Sequence, residues 1–153
     1  MRTTTLSFLV KEGEVLLAMK KRGFGVGKWN GVGGKIIAGE TIEQSAVREI
    51  KEEIGVDVQI SDLRDAGTLR FSFDGNSDWN QACRVFTIQQ WKGELAESEE
   101  MRPQWYPVNR LPFDEMWVDD PHWLPKVLTG QAIDGEFLFN KDGSEMLDFK
   151  VIP

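Results

Sequence analysis

The chain has 153 residues, 41% of them hydrophobic and 28% charged, which fits one domain with a real core and leaves little room for a second. A net charge of −7 and a pI near 4.8 argue against a basic surface for polymeric nucleic acid, and no run approaches the ~18 apolar residues needed to span a bilayer. One cysteine, Cys83, allows no internal disulfide and fits a reducing cytoplasm, and with a single histidine, His122, the chain has no set for structural zinc.

Positions 3–10 and 14–19 read as strands around the turn Glu12-Gly13, and the apolar stretch Leu6–Val10 is too short for a signal-peptide core. Residues 20–35, KKRGFGVGKWNGVGGK, are basic and glycine-rich, a loop that brings backbone close to a ligand. The segment 41–55, TIEQSAVREIKEEIG, is the one strongly helical stretch. Thr41 with Gln44 makes a capping box, Gly55 suits the left-handed position past the end, and Ile42, Ala46, Ile50 and Ile54 form an apolar stripe beside Val47. Residues 66–73 and 82–91 read as strands separated by DGNSDWN. Asp120 before Pro121 suits a helix opening that runs to about Leu128, and GEFLFN and EMLDFKV flank KDGS as a terminal hairpin. Strands mixed with few helices, without repeat or linker, suggest one α+β or layered α/β/α domain spanning 1–153.

Within the helix, Glu49, Glu52 and Glu53 fall within about a 100° arc, just after Arg48. Like charges at this spacing destabilise a helix, and glutamates near its C-terminus oppose the macrodipole. A solvated acidic face is one reading; a site for a hard divalent cation such as Mg²⁺ or Mn²⁺ is the other. Such a cation would let an acidic protein take a phosphorylated small molecule.

Spacing decides between them. Gly34, Glu40, Arg48, Glu49, Ile50, Glu52, Glu53, Gly55 and Val56 fit G-x5-E-x7-R-E-U-x-E-E-x-G-U, U being aliphatic. Chance agreement is about one in 10⁹ per start position. The pattern resembles the Nudix box. That resemblance implies a mixed sheet between helices and Mg²⁺-dependent hydrolysis of a nucleoside diphosphate linked to another group. By position, Glu49, Glu52 and Glu53 would bind the metal or handle the attacking water, and Arg48 would hold those glutamates in place. Gly33 would offer a carbonyl to the metal, and Glu40 would support the loop.

Beyond the box, residues 19–35, ESEEMRPQWY (97–106) and LPFDEMWVDDPHWLP (111–125) resemble the oxidised purine nucleoside triphosphatase branch of that family, the eukaryotic-type 8-oxo-dGTP diphosphatases. The likeness weakens at 74–82, DGNSDWNQA. It implies a base pocket from Asn30, Asp119, Asp120, Trp117 and Phe24, walled by Phe71 and Phe139, with Thr5 and Lys20 near the nucleotide. Gly33, Gly34, Lys20 and Lys35 would meet the phosphate end, and Glu100 matches a supplementary metal position. The expected reaction converts oxidised purine triphosphates such as 8-oxo-dGTP and 2-oxo-dATP to monophosphate and pyrophosphate, cleansing the nucleotide pool. A hydrolase of another purine nucleotide (a methylated purine triphosphate or ADP-ribose) and a binding-only module are the alternatives.

Two readings of Asp119-Asp120 stand at this point. Two desolvated carboxylates side by side share a proton and can read a purine edge with both donor and acceptor. Asp120 before proline also suits a helix cap. Tryptophans 29, 79, 91, 105 and 123 are expected in packing, with 29 and 79 the least decided. Nothing in the sequence demands a dimer, and a monomer is expected.

Overall fold

Alternation along the strands decides which faces of the sheet are covered. The computed structural model describes residues 1–153. The strands are β1 (Arg2–Lys11), β2 (Glu14–Lys20), β3 (Trp29–Asn30), β4 (Leu63–Phe73), β5 (Gln81–Ile88), β6 (Met101–Pro107), β7 (Ile133–Phe139) and β8 (Met146–Ile152). The helices are α1 (Ile42–Ile54) and α2 (Asp120–Leu128), neither long and apolar enough to cross a membrane.

The sheet is mixed. β1 runs parallel to β5, β5 antiparallel to β4, β4 parallel to β7, and β7 antiparallel to β8. β1 pairs with β2 only beside their turn, at Val10–Val15 and Lys11–Glu14. Beyond that point β2 takes β3 and β6 as neighbours, and the free edge of β1 is met by the loop through bridges Ser7–Val32 and Thr4–Lys35. The fork between β1 and β2 therefore holds the glycine-rich loop.

Phe8, Val15, Leu17, Cys83 and Val85 point to one face and pack with Trp123, Leu124 and Val127 of α2. Their neighbours Leu9, Leu16, Ala18, Phe86 and Ile88 point to the other and pack with Ala46, Ile50 and Ile54 of α1. Period two in the strands and period 3.6 in the helices thus give two cores and an α/β/α sandwich, the predicted fold class. The capping box is present: Gln44 N–H reaches Thr41 Oγ1 at 3.1 Å and Thr41 N–H reaches Gln44 Oε1 at 2.9 Å, with Gly55 left-handed at the far end.

Some boundaries differ from the sequence reading. The strand expected over 82–91 ends at Ile88, and β3 and β6 are additional. Helix α2 contains Asp120 as its first residue, and no side-chain cap bond closes its N-terminus. The cap reading of Asp120 is corrected: its Oδ2 is buried without a partner, so it serves no orphan amide of the helix.

Replacing Thr41 with Ala removes one half of the capping box and is expected to cost about 1 kcal/mol of stability. Urea denaturation of the two proteins checks it; an unchanged midpoint contradicts it.

Candidate active site

Between the sheet and α2 lies a cavity of about 330 Å³ that opens towards the β1–β2 fork. Asn30, Asp119, Asp120, Trp117, Phe24, Thr5, Lys20, Gly33, Gly34, Lys35, Phe71 and Phe139 all line it. Twelve positions scattered from 5 to 139 in the sequence are thus brought to one surface. Thr4, Leu6, Phe73, Gln81 and Cys83 also line it and carry no motif that would have marked them, and Lys28 joins them from the basic glycine-rich loop. The signal available was phase. Thr4 keeps step with Leu6 and Phe8 along β1, and Gln81 keeps step with Cys83 and Val85 along β5.

The loop end of the cavity is fixed by close packing. A Cβ at Gly33 would stand 1.8 Å from the Thr5 carbonyl oxygen, and one at Gly34 would stand 2.7 Å from Glu49 Oε1. The backbone contact admits only glycine at 33, whereas at 34 a side chain would have to displace the Glu49 carboxylate. Main-chain bonds from Ser7 N–H to the Val32 carbonyl (2.7 Å) and from Thr5 N–H to the Gly34 carbonyl (3.0 Å) hold this segment along β1.

Arg48 organises Glu49 and Glu52 of α1 together with Glu40. Its guanidinium donates to Glu40 at 2.7 and 3.0 Å, to Glu49 at 2.9 Å and to Glu52 at 3.1 Å, and to the Lys35 carbonyl at 3.2 Å. That bidentate contact, with the Ile37 N–H as second cause, holds the Glu40 carboxyl down at about 2. Glu53 stands apart. It is only 4% exposed and accepts one hydrogen bond, from Gly33 N–H at 2.9 Å. Burial first, and the neighbouring Glu49 charge second, push its carboxyl up to about 8.

As the side chains lie, no three acidic, imidazole or thiol groups converge on a common point for an ion. Arg48 occupies Glu49 and Glu52, and Glu53 is turned to Gly33. Glu100 is likewise engaged, by Lys20 at 3.2 Å and Arg22 at 2.8 Å, which lowers its pKa. The donor set still suits a hard divalent cation: oxygen ligands only, and a buried carboxylate whose charge the protein leaves largely uncompensated.

At the other end, Asp119 and Asp120 are each 2% exposed. Asp119 Oδ2 accepts from Trp123 Nε1 at 2.7 Å, so the tryptophan between strand face and helix both fills the core and fixes that carboxylate. Burial raises both pKa values; the Asp119 charge raises that of Asp120 further, while the Trp123 indole N–H opposes the rise at Asp119. Asn30 Oδ1 accepts from Gly31 N–H at 2.8 Å, which turns its NH₂ group into the available donor. Trp117 forms an aromatic wall with Phe24 stacked 5.2 Å away and Lys28 Nζ 5.3 Å from its ring centre. Burial also pushes the Cys83 thiol to about 12, leaving it an inert wall group. Of the tryptophans, Trp29 is core, with its Nε1 on Glu115 at 3.1 Å, and Trp91 stacks on Trp105.

The raised Glu53 pKa fixes a stability signature. Between about pH 4.5 and 8 the unfolded chain releases this proton while the folded protein keeps it, so in metal-free solution the carboxyl destabilises the fold increasingly across that window. Glu53→Gln, which retains an acceptor for Gly33 N–H, should therefore gain on the wild type by about 3.5 kcal/mol between pH 5 and pH 8. Urea denaturation in EDTA at the two pH values measures this; parallel profiles for the two proteins contradict it.

Comparison with known proteins agrees with this geometry. The NUDIX domain model matches residues 1–127. The chain is 47% identical over 135 residues to the oxidized purine nucleoside triphosphate hydrolase of Danio rerio, covering 88% of this chain and 85% of that one. It is 41% identical over 150 residues to the oxidized purine nucleoside triphosphate hydrolase of Mus musculus, covering 98% and 94%. A solved structure of the MutT protein from Bacillus halodurans matches with a TM-score of 0.83 over 100% of this chain and 99% of that one; at 24% identity this is a likeness of fold. A family match over most of its length and two relatives above 40% identity lead to one conclusion: the chain belongs to the Nudix hydrolase family.

Proposed function

We propose that this protein is a Mg²⁺-dependent pyrophosphohydrolase of oxidised purine nucleoside triphosphates, typified by 8-oxo-dGTP and 2-oxo-dATP, releasing the monophosphate and pyrophosphate. The observation that carries the reading is the buried Asp119–Asp120 pair, with one unpartnered carboxyl oxygen, facing the same cavity as Asn30 and Trp117. An unsatisfied buried oxygen is costly, and a ligand donor or acceptor is its natural complement.

The array offers two donors, the Asn30 NH₂ and the Asp120 hydroxyl, beside the Asp119 carboxylate as acceptor. A guanine edge, with a keto oxygen next to two N–H groups, complements that order. Transfer of the proton from Asp120 to Asp119 reverses the order and suits an oxidised adenine. Trp117, Phe24 and Phe139 supply stacking area, and the polar set lets a base with the wrong edge leave groups unpaired.

At the loop end Glu49, Glu52 and Glu53, with the Gly33 carbonyl, are the groups that would hold Mg²⁺, and Glu100 is the supplementary one. The cation would supply charge neutralisation on the triphosphate and acidify a water. Lys20 and Lys35 line the path between the two ends and would meet the phosphates. Arg48 would share Glu49 and Glu52 with the cation while its bonds to Glu40 hold the loop. The proposed groups all lie within this chain, which supports the reading of a monomer, and its buried, unpaired thiol suits the cytoplasm. Removing oxidised triphosphates before a polymerase uses them is the corresponding role.

Steady-state hydrolysis of 8-oxo-dGTP, 2-oxo-dATP, dGTP and ADP-ribose checks the reading. The oxidised purines should lead dGTP and ADP-ribose in kcat/KM by about tenfold or more, with turnover lost in EDTA and in Glu53→Gln. Asp119→Asn should lower kcat/KM for the oxidised purines by about a hundredfold, the worth of charged hydrogen bonds to the base. A lead for ADP-ribose or dGTP overturns the substrate assignment.

A further inference from the structure

Trp79 belongs to neither the acidic helix nor the base-reading set, yet it packs from behind on two residues that line the cavity, Phe24 and Phe73. It ends a single 3₁₀ turn, Ser77–Trp79, inside the segment where the family likeness weakens. Its ring meets Phe24 edge-on at 4.6 Å and Phe73 edge-on at 5.4 Å. Phe24 in turn lies on Trp117 at 5.2 Å with a 29° tilt.

Phe24 needs such support. It is 46% exposed and lies in a turn, outside any strand or helix. Gly23 and Gly25 on either side of it have φ of +80° and +83°, so the backbone around it follows a path open chiefly to glycine. Two tryptophan rings therefore fix where its side chain sits. The turn that carries Trp79 is itself anchored. The Arg2 guanidinium donates to the Asp78 carbonyl, Arg2 N–H reaches the Asn80 carbonyl at 3.4 Å, and Asn80 Oδ1 accepts from Phe73 N–H at 2.8 Å.

We propose that Trp79 is a positioning residue for substrate: it braces Phe24 against Trp117 and so preforms the apolar rim that covers the bound base. The inference rests on the base-reading assignment above. A preformed rim spares the substrate the ordering of Phe24 on entry, so its loss weakens binding. The rim touches none of the groups at the Gly33 end, so the chemical step keeps its rate.

Steady-state kinetics with 8-oxo-dGTP on Trp79→Ala, Trp79→Leu and Trp79→Phe, with a thermal melt of each, tests it. Ala and Leu should raise KM about three- to tenfold with kcat nearly unchanged, while Phe, which keeps an aromatic edge, stays within about twofold of wild type. Leucine retains apolar bulk, so it decides the matter if the alanine variant does not fold. An unmoved KM in the folded variants, or a fall confined to kcat, overturns the bracing role. Wild-type protein inert towards 8-oxo-dGTP overturns the substrate reading and this inference with it; an active wild type with unmoved variants overturns this inference alone.

Discussion

The hydrogen bond from Gly33 N–H to the buried Glu53 carboxyl joins the glycine-rich loop to α1, and the rest is arranged around it. For that bond to form, the loop must lie on the edge of β1, and β2 must have turned away to let it in. The loop can lie there only because residue 33 has no side chain to strike the Thr5 carbonyl. On the helix side, Glu53 keeps step with Ala46 and Ile50, so a residue type that belongs in water is carried into the core face of α1. Arg48 neutralises Glu49 and Glu52 but has no bond to Glu53. A carboxyl left buried with one hydrogen bond costs stability, and perturbed groups of this kind mark functional sites.

The same physics recurs on the opposite face of the sheet. Asp119 and Asp120 are buried against the α2 core as Glu53 is against the α1 core, and burial is the leading cause of the raised pKa in all three. Their partners differ. Asp119 has an indole N–H to stabilise its charge, Asp120 has an oxygen with nothing to bond, and Glu53 has one backbone amide. The sheet separates the face that carries Glu53 from the face that carries the Asp119–Asp120 pair, and Lys20, at the end of β2, lines the cavity.

Much of this was legible in the sequence for identifiable reasons. Helix α1 announced itself through its four-residue apolar repeat and capping box, both local signals that tertiary packing left unchanged. The base-cavity residues were placed by resemblance, and the fold does bring them to one wall; spacing alone could not have joined position 30 to position 120. Strand β6 was unread because Pro103 and Pro107 break the usual pattern, and pairing along β2 sustains it regardless. Asp120 looked like a cap because Asp-Pro is a local signal, but burial against the cavity overrides it. The placing of Trp79 depends on contacts across more than fifty residues to Phe24, which no local pattern encodes.

The account stands or falls on the protonation of the aspartate pair, since a doubly ionised pair would offer a base acceptors only. A carbon-detected NMR titration of side-chain carboxyls, with Asp120→Asn to assign the signal, reads it directly. The account predicts one aspartate that stays protonated through neutral pH and whose signal is absent from the variant. Ionisation of every aspartate within the ordinary carboxylate range would contradict it.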